Sequence, residues 1–233
     1  MYLISTKNKR VNNPTYYIYI LALMTIGWIG LFLVKLKDSF KAGGGEIDRQ
    51  VINYVSQMRR GYLNKIFVFT SRSADTAFAI IFTILVIILL YRISKKREAK
   101  FYAINILIIA IASQLLKYVA RRPRPEGIRL VDISKYTNVG TYSFPSGHSM
   151  ISMAGALIII YFILDNFRNR ILAHILSILI FIYAALIGIS RVYVGVHYTS
   201  DVVGGWAIAS IWVLITLIIF RRRGRREEYK FIR

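Results

Sequence analysis

Long apolar runs separated by charged segments dominate the sequence. A helix needs about 20 residues to cross the roughly 30 Å hydrocarbon core of a bilayer, and several runs approach that length without an internal charge. These runs are Tyr16–Val34, Thr76–Tyr91, Phe101–Leu116, Ser149–Leu164, Ile171–Ile189 and Val202–Phe220. A buried helix of a soluble protein could explain one such run, but not six in 233 residues. We therefore predict an all-α fold, a six-transmembrane-helix bundle that forms a single domain over residues 1–233.

The segment between the first two runs, residues 35–75, has a different pattern. Ile47, Val51, Val55 and Met58 recur at helical spacing, with charged residues between them. This pattern predicts an amphipathic helix between the first and second spans. We interpret it as an interfacial helix on the outer membrane surface, although packing against neighbouring helices explains the spacing equally well.

Composition and charge narrow the class of protein. Hydrophobic residues make up 56% of the chain, yet the formal net charge is +21. A basic soluble protein that binds nucleic acid is excluded because the apolar residues form long unbroken runs. The absence of cysteine excludes disulfides and thiolate metal sites. Lys and Arg in the short loops and the C-terminal tail place both termini in the cytoplasm of a multi-pass cell-membrane protein, with the first run retained rather than cleaved as a signal peptide.

Three polar clusters lie at the ends of runs on the predicted outer side. They cover residues 117–125, 145–148 and 190–201. Lys117, Arg124 and Arg191 supply three cations, and guanidinium groups bind phosphate oxygens in a bidentate fork. Ser146 and Gly147 precede a predicted helix, so their backbone N–H groups can point at an anion. Together these groups indicate a binding site for a phosphoryl group.

Two of the three histidines belong to these clusters. His197 and Asp201 are four residues apart, so they share one face of a helix. A carboxylate bonded to one ring nitrogen fixes the tautomer and leaves the other nitrogen free to attack. His148 opens the next predicted helix and can protonate a departing oxygen. His174 has no such neighbours in sequence, and we interpret it as structural.

The clusters together resemble the signature of the type-2 phosphatidic acid phosphatase family of membrane lipid phosphatases. That signature reads K-x6-RP, then PSGH, then SR-x5-H-x3-D, and this chain matches every defined position. The matching residues are Lys117, Arg124, Pro125, Pro145, Ser146, Gly147, His148, Ser190, Arg191, His197 and Asp201. The same signature occurs in soluble vanadium haloperoxidases, but six predicted spans argue against that class.

The resemblance implies a role for each residue. His197 would attack phosphorus and become phosphohistidine, oriented by Asp201, and His148 would be the acid in the first step and the base in the second. The phosphate would be bound by Lys117, Arg124, Ser146, Gly147 and Arg191. The substrate would be a lipid phosphate monoester or pyrophosphate, such as undecaprenyl pyrophosphate, phosphatidylglycerophosphate or lipid A phosphate. No cofactor or metal is implied, and the expected partners are the bilayer and the lipid substrate, without nucleic acid or an obligate protein partner.

Some alternatives stay open at this point. A lipid phosphotransferase would use the same motifs and pass the phosphoryl group to an acceptor other than water. A transporter is less favoured because the run centres are apolar apart from single positions such as Asn105. Arg121 and Arg122 flank the first motif, and snorkelling at the membrane edge explains them as well as a role in the site does.

Overall fold

The computed structural model describes residues 15–35, 44–126 and 142–231, and the regular elements within these ranges are all α-helices. They are α1 (Thr15–Lys35), α2 (Glu46–Gln57), α3 (Gly61–Arg72), α4 (Thr76–Arg92), α5 (Lys96–Ala120), α6 (Gly147–Asn166), α7 (Arg170–Tyr193) and α8 (Thr199–Phe231). Among the described helices, α1, α5, α6, α7 and α8 are each long and apolar enough to cross a membrane. The prediction of an all-helical membrane bundle is therefore confirmed.

The second predicted span differs from the others. The run Thr76–Tyr91 corresponds to α4, which has only 17 residues. The preceding helix α3 meets α4 at a bend of 59°, and the two together form a sixth candidate span that is broken near its middle. A crossing of about 20 residues by this part of the chain therefore needs residues of α3 as well as α4.

The positions of the amphipathic pattern, Ile47 to Met58, correspond to α2, and a second short helix, α3, follows it. The chain is extended at Arg60 between them. α2 packs against α7 and α8, and it buries Ile52 together with the carboxylate of Asp48, which is fully inaccessible to solvent. Packing on neighbouring helices thus explains part of the amphipathic pattern. The position of α2 on the membrane surface stays a prediction.

The most buried helix of the bundle is α6. It is surrounded by α5, α7 and α8, and 72% of its candidate span is buried within the protein. Small residues permit the close approach of these helices. A Cβ atom added at Gly188 of α7 would lie 2.5 Å from the indole ring of Trp206 on α8. α6 can therefore present its first residues at a fixed position at one end of the bundle.

Polar residues inside the spans make contacts within the protein. Asn105 accepts a hydrogen bond from Nε1 of Trp212 at 2.8 Å, which accounts for the polar position singled out near mid-membrane. Nδ1 of His174 lies 2.6 Å from the carbonyl oxygen of Arg170, and its ring stacks on Tyr16. These contacts support a structural role for His174.

The order of the helices places the three motifs together. α5 leads through residues 121–126 and 142–146 into α6, and α7 turns directly into α8. Consecutive spans run in opposite directions, so the end of α5, the start of α6, the end of α7 and the start of α8 lie at the same end of the bundle. The short helices α2 and α3 contact α7 near that end.

Candidate active site

The first motif begins in the last turn of α5. Lys117 belongs to that turn, and the helix ends at Arg121, which adopts a left-handed conformation with φ 46°. Pro123 and Pro125 follow, and a residue that precedes proline is biased away from the helical region. The chain therefore continues without a regular element over residues 121–126, and this path brings Arg124 back across the end of the bundle.

The second motif forms the N-terminus of α6. The hydroxyl of Ser146 caps the helix by accepting hydrogen bonds from the backbone N–H of Ser149 at 3.4 Å and from its hydroxyl at 2.8 Å. The N–H of Ser146 donates to the carbonyl oxygen of Asp201 at 3.0 Å, so it faces the third motif instead of a bound anion. A hydroxyl has one donor and two acceptor sites, so the Ser146 hydroxyl proton is the group of this residue that can still meet a phosphate.

The first and second motifs meet at Gly147. A Cβ atom added there would lie 3.8 Å from Nζ of Lys117 and 3.4 Å from Oγ of Ser113. Both distances are those of ordinary van der Waals contact, so the start of α6 lies directly beside the ammonium group of Lys117. A helix N-terminus next to a cation suits an anion.

The third motif is shaped by a turn between α7 and α8. Gly195 has φ 78°, a left-handed conformation that glycine adopts without steric cost. The turn lets the backbone N–H of His197 donate to the carbonyl oxygen of Arg191 at 3.2 Å. In the first turn of α8, Oδ2 of Asp201 accepts from the backbone N–H of Tyr198 at 2.9 Å. The helix start thereby fixes the carboxylate next to the imidazole.

The two ring nitrogens of His197 have different partners. Nδ1 lies 3.2 Å from Oδ2 of Asp201, and Nε2 lies 3.3 Å from Nη1 of Arg124. A carboxylate can only accept and a guanidinium can only donate, so both contacts favour a neutral ring with its proton on Nδ1. The side chain is almost wholly buried. The Nε2 lone pair therefore faces the guanidinium group of Arg124 in the first motif.

The environment of His197 disfavours its charged form. Burial lowers the pKa of His197 well below its ordinary value, and the positive charges of Arg124, Arg191 and Lys117 lower it further. All three cations named from the sequence thus act on this one imidazole. Both effects favour the neutral form of the ring.

His148 and Arg191 contact residues that the sequence interpretation missed. Nε2 of His148 lies 3.3 Å from Oδ1 of Asp75, which precedes α4. Nη1 of Arg191 donates to the hydroxyl of Ser71, near the end of α3, at 2.5 Å. Both partners flank the bend between α3 and α4. The pattern of this segment gave no specific sign of these contacts.

Arg122 is a buried part of the site, whereas Arg121 is exposed. The guanidinium of Arg122 donates to Oδ1 of Asp201 at 2.5 Å and to Oδ2 of Asp48 at 2.8 Å. Snorkelling is therefore the wrong interpretation for Arg122. One signal could have found Asp48, because it lies one helical turn from Val51 and Ile52, and a carboxylate on an apolar helix face indicates a buried partner.

The charged side chains that face His197 are mainly cations, which do not bind a divalent metal ion. Among the described residues, no group of three or more His, Asp or Glu side chains is placed to hold a metal ion. The two buried carboxylates nearest to the site, Asp48 and Asp201, both bind Arg122. The positive charge of the arrangement fits an anionic group, and metal-independent action stays a prediction.

Comparison with known proteins gives similarities in sequence and in fold. The sequence profile of the family described as the PAP2 superfamily matches residues 98–225, which include all three motifs. Over 127 residues the chain is 33% identical to phosphatidylglycerophosphatase B of Bacillus subtilis, a match that covers 53% of this chain and only 55% of that protein. Over 205 residues it is 30% identical to an undecaprenyl-diphosphatase of Sulfolobus acidocaldarius, covering 85% of this chain and 88% of the relative.

Two crystal structures share the fold. The transmembrane PAP2-type phosphatidylglycerolphosphate phosphatase from Bacillus subtilis aligns with a TM-score of 0.66 at 21% identity, over 89% of this chain and 97% of that one. LpxE of Aquifex aeolicus aligns with a TM-score of 0.59 at 24% identity, over 75% of this chain and 97% of that one. At these identities the likeness establishes the helical architecture.

Proposed function

This chain belongs to the PAP2 superfamily, and we propose that it is a membrane lipid phosphatase that hydrolyses a lipid phosphate monoester or diphosphate through a phosphohistidine. Relatives carry the names phosphatidylglycerophosphatase B, undecaprenyl-diphosphatase and lipid A 1-phosphatase. Their substrates have a phosphate group on a lipid in common. We propose the same class of substrate here, with undecaprenyl diphosphate and phosphatidylglycerophosphate as the first candidates.

The geometry of His197 is the observation that carries this proposal. One ring nitrogen is held by Asp201, and the other faces Arg124. A neutral imidazole whose unprotonated nitrogen faces a cation has the character of a nucleophile prepared for an anionic electrophile. A phosphoryl group bound there would lie with its phosphorus atom facing Nε2.

In the first step, we propose that Nε2 of His197 attacks phosphorus while the bond to the lipid oxygen breaks. His148 gives its proton to the leaving oxygen, so that the lipid departs as an alcohol or as a monophosphate. Lys117, Arg124 and Arg191 stabilise the charge that spreads over the phosphoryl oxygens. The Nδ1 proton of His197 stays on the ring, and its hydrogen bond to Asp201 strengthens as the ring becomes positive.

In the second step, water attacks the phosphohistidine in line with the N–P bond. His148, now neutral, accepts a proton from that water as the new P–O bond forms. The N–P bond breaks, Nε2 regains its lone pair, and inorganic phosphate leaves. Asp75 contacts the ring of His148 and would orient it for both proton transfers.

We propose that this chemistry takes place at the extracytoplasmic face of the cell membrane. Support comes from the basic residues at the opposite ends of the spans, such as Lys95, Lys96 and Lys100 around the start of α5. Loops rich in Lys and Arg remain in the cytoplasm. The motifs lie at the other end of α5, so this orientation gives the site access to lipids of the outer leaflet.

The test is release of inorganic phosphate by the purified protein. A panel would contain phosphatidylglycerophosphate, undecaprenyl diphosphate, undecaprenyl phosphate and phosphatidic acid, each in mixed micelles. We expect release from at least one lipid and none from His197→Ala. Unaltered release by His197→Ala would refute the mechanism. Loss of lipid phosphate without an equal yield of inorganic phosphate would identify a phosphotransferase.

A further inference from the structure

We propose that Arg122 and Asp48 are positioning residues for the nucleophile, acting through Asp201. Arg122 occupies one of the six undefined positions of the first motif, and Asp48 lies on the separate helix α2. The inference rests on the proposed function, because it assigns these residues to the orientation of the attacking histidine. It extends the site from the motif-bearing helices to the segment between the first two spans.

The two oxygens of the Asp201 carboxylate have different partners. Oδ2 faces Nδ1 of His197 at 3.2 Å and accepts from the backbone N–H of Tyr198 at 2.9 Å. Oδ1 accepts from Nη1 of Arg122 at 2.5 Å and from the hydroxyl of Ser143 at 3.4 Å. Because Arg122 holds one oxygen, the carboxylate cannot rotate freely, and the other oxygen stays directed at the imidazole.

Several contacts hold Arg122 in place. Its Nη2 donates to Oδ2 of Asp48 at 2.8 Å, and its Nη1 also reaches the hydroxyl of Ser200 at 2.6 Å. The guanidinium packs over the ring of Tyr198 with Cζ 4.2 Å from the ring centroid. Its fixed planar fork thus bridges two carboxylates through separate nitrogens, a geometry that the single ammonium nitrogen of lysine does not supply.

Asp48 is fixed as firmly as Arg122. Its Oδ1 accepts from the backbone N–H of Ser200 at 2.9 Å, and its Oδ2 accepts from the Ser200 hydroxyl at 2.6 Å. Both contacts cross from α2 to the first turn of α8, directly beside Asp201. The carboxylate of Asp48 is fully buried. α2 is therefore attached to the helix start that supplies Asp201.

Charge gives this triad a property that simple packing would not have. Asp48, Arg122 and Asp201 are all buried, and removing one member of a buried ionic cluster leaves the others uncompensated. Without Arg122, two buried carboxylates repel each other, and uptake of a proton by either relieves the repulsion. A protonated Asp201 has lost the charge that would stabilise a positive imidazole ring, and a rotated Asp201 no longer accepts from Nδ1 of His197. Removing the charge of Asp48 as well takes away the repulsion.

The experiment is a double-mutant cycle of Arg122→Gln, Asp48→Asn and the combined variant, with phosphate release measured in detergent micelles. We expect kcat of Arg122→Gln to fall by roughly 10²–10³-fold, less than the ~10⁴-fold loss known for an uncharged orienting residue in a serine protease triad. KM and inhibition by vanadate should change little, since Arg122 is not assigned to the phosphate. The combined variant should regain at least about tenfold in kcat over Arg122→Gln, a non-additivity expected of directly coupled groups.

The matched controls are Arg121→Gln and Glu46→Gln. Arg121 is the exposed neighbour of Arg122, and Glu46 is an exposed carboxylate in the first turn of α2. Both should retain the wild-type kcat. Should Arg122→Gln fail to fold, Asp48→Asn provides the test, with an expected loss in kcat of about tenfold at constant KM, as for other residues that orient a ligand indirectly.

Three results would overturn the inference. The first is wild-type kcat in Arg122→Gln. The second is a combined variant that is no more active than Arg122→Gln, with KM raised and vanadate inhibition weakened by as much as kcat is lowered. That result would indicate that the cluster has a purely structural role. The third applies if Arg122→Gln does not fold, and it is a kcat of Asp48→Asn equal to the wild-type value. Failure of the proposed function is distinguishable, because it would appear as inactive wild type or as active His197→Ala.

Discussion

The Nη1 atom of Arg124 lies 3.3 Å from the Nε2 atom of His197. The same guanidinium nitrogen donates to the carbonyl oxygen of Val196 at 2.8 Å, so the backbone of the α7–α8 turn helps to place it. The contact joins the first motif to the third at the nitrogen proposed to attack. It also means that one residue both binds the phosphate in our proposal and lowers the proton affinity of the nucleophile.

The first prediction concerns pH. Burial lowers the pKa of His197, and Arg124 is the largest of the charges that lower it further. A protonated imidazole cannot attack, so a lowered pKa keeps His197 active to lower pH. Arg124→Gln removes a positive charge, raises the pKa of His197 and should move the acid limb of kcat/KM to higher pH.

The measurement is the normalised pH profile of kcat/KM for wild type and Arg124→Gln with one substrate. Ionisation of the substrate is identical in the two series, so it cancels in the comparison. An acid limb at the same pH in both proteins would contradict the electrostatic role of Arg124.

The second prediction separates the phosphate-binding cations from a neighbouring bystander. Lys117→Ala or Arg191→Ala should lower kcat by roughly 10²–10³-fold, as loss of one donor in an oxyanion hole does. Arg121→Ala should cost far less, because Arg121 is exposed and its side chain donates to the carbonyl oxygen of Tyr118, which is outside the proposed phosphate site. Steady-state phosphate release checks the order. A loss in Arg121→Ala as large as that in Arg191→Ala would disprove the assignment.

The third prediction concerns the two histidines. The nitrophenolate group of an aryl phosphate departs without being protonated. His148→Ala should therefore still be phosphorylated by such a substrate. Hydrolysis would then be slow because water has lost its base, and phosphoenzyme should accumulate. Mass spectrometry after brief exposure should locate an acid-labile phosphate on His197. Phosphate on another residue, or phosphate that persists in His197→Ala, would disprove this assignment of roles.

The fourth prediction concerns metals and a transition-state analogue. The proposed phosphate site consists of Lys117, Arg124, Arg191 and the start of α6, whereas two-metal phosphatases need several carboxylate or histidine ligands. Activity should therefore persist in excess chelator and be inhibited by vanadate, which mimics five-coordinate phosphorus. Activity lost in chelator and restored by a divalent cation would count against this mechanism.

The fifth prediction concerns orientation. The chain has no native cysteine, so a single introduced thiol gives an unambiguous label. Glu126→Cys, next to the first motif, should react with a membrane-impermeant thiol reagent in intact cells, whereas Ser94→Cys should not. Both native residues are exposed, so access to solvent does not explain a difference. The opposite labelling pattern would place the site in the cytoplasm.

The sequence by itself determined the membrane-spanning character and the residue types on which the proposed chemistry rests. The length of an apolar run is a local property, and it correctly indicated α1, α5, α6, α7 and α8. The residues of the three motifs could likewise be recognised from the sequence, because residue types with complementary chemistry occur in them at fixed spacings. The relation of α3 to α4 was not readable, because a bend between two short helices depends on the helices against which they pack.

The tertiary structure decided which charged residues outside the motifs belong to the site. Arg121 and Arg122 are adjacent and identical in type, yet only Arg122 is buried between Asp48 and Asp201. The contact with Asp48 spans 74 positions in the chain, and that between Asp75 and His148 spans 73. Such pairings arise when helices pack, because a buried charge is stable only where the fold supplies its counter-charge. No local pattern encodes where that counter-charge will lie.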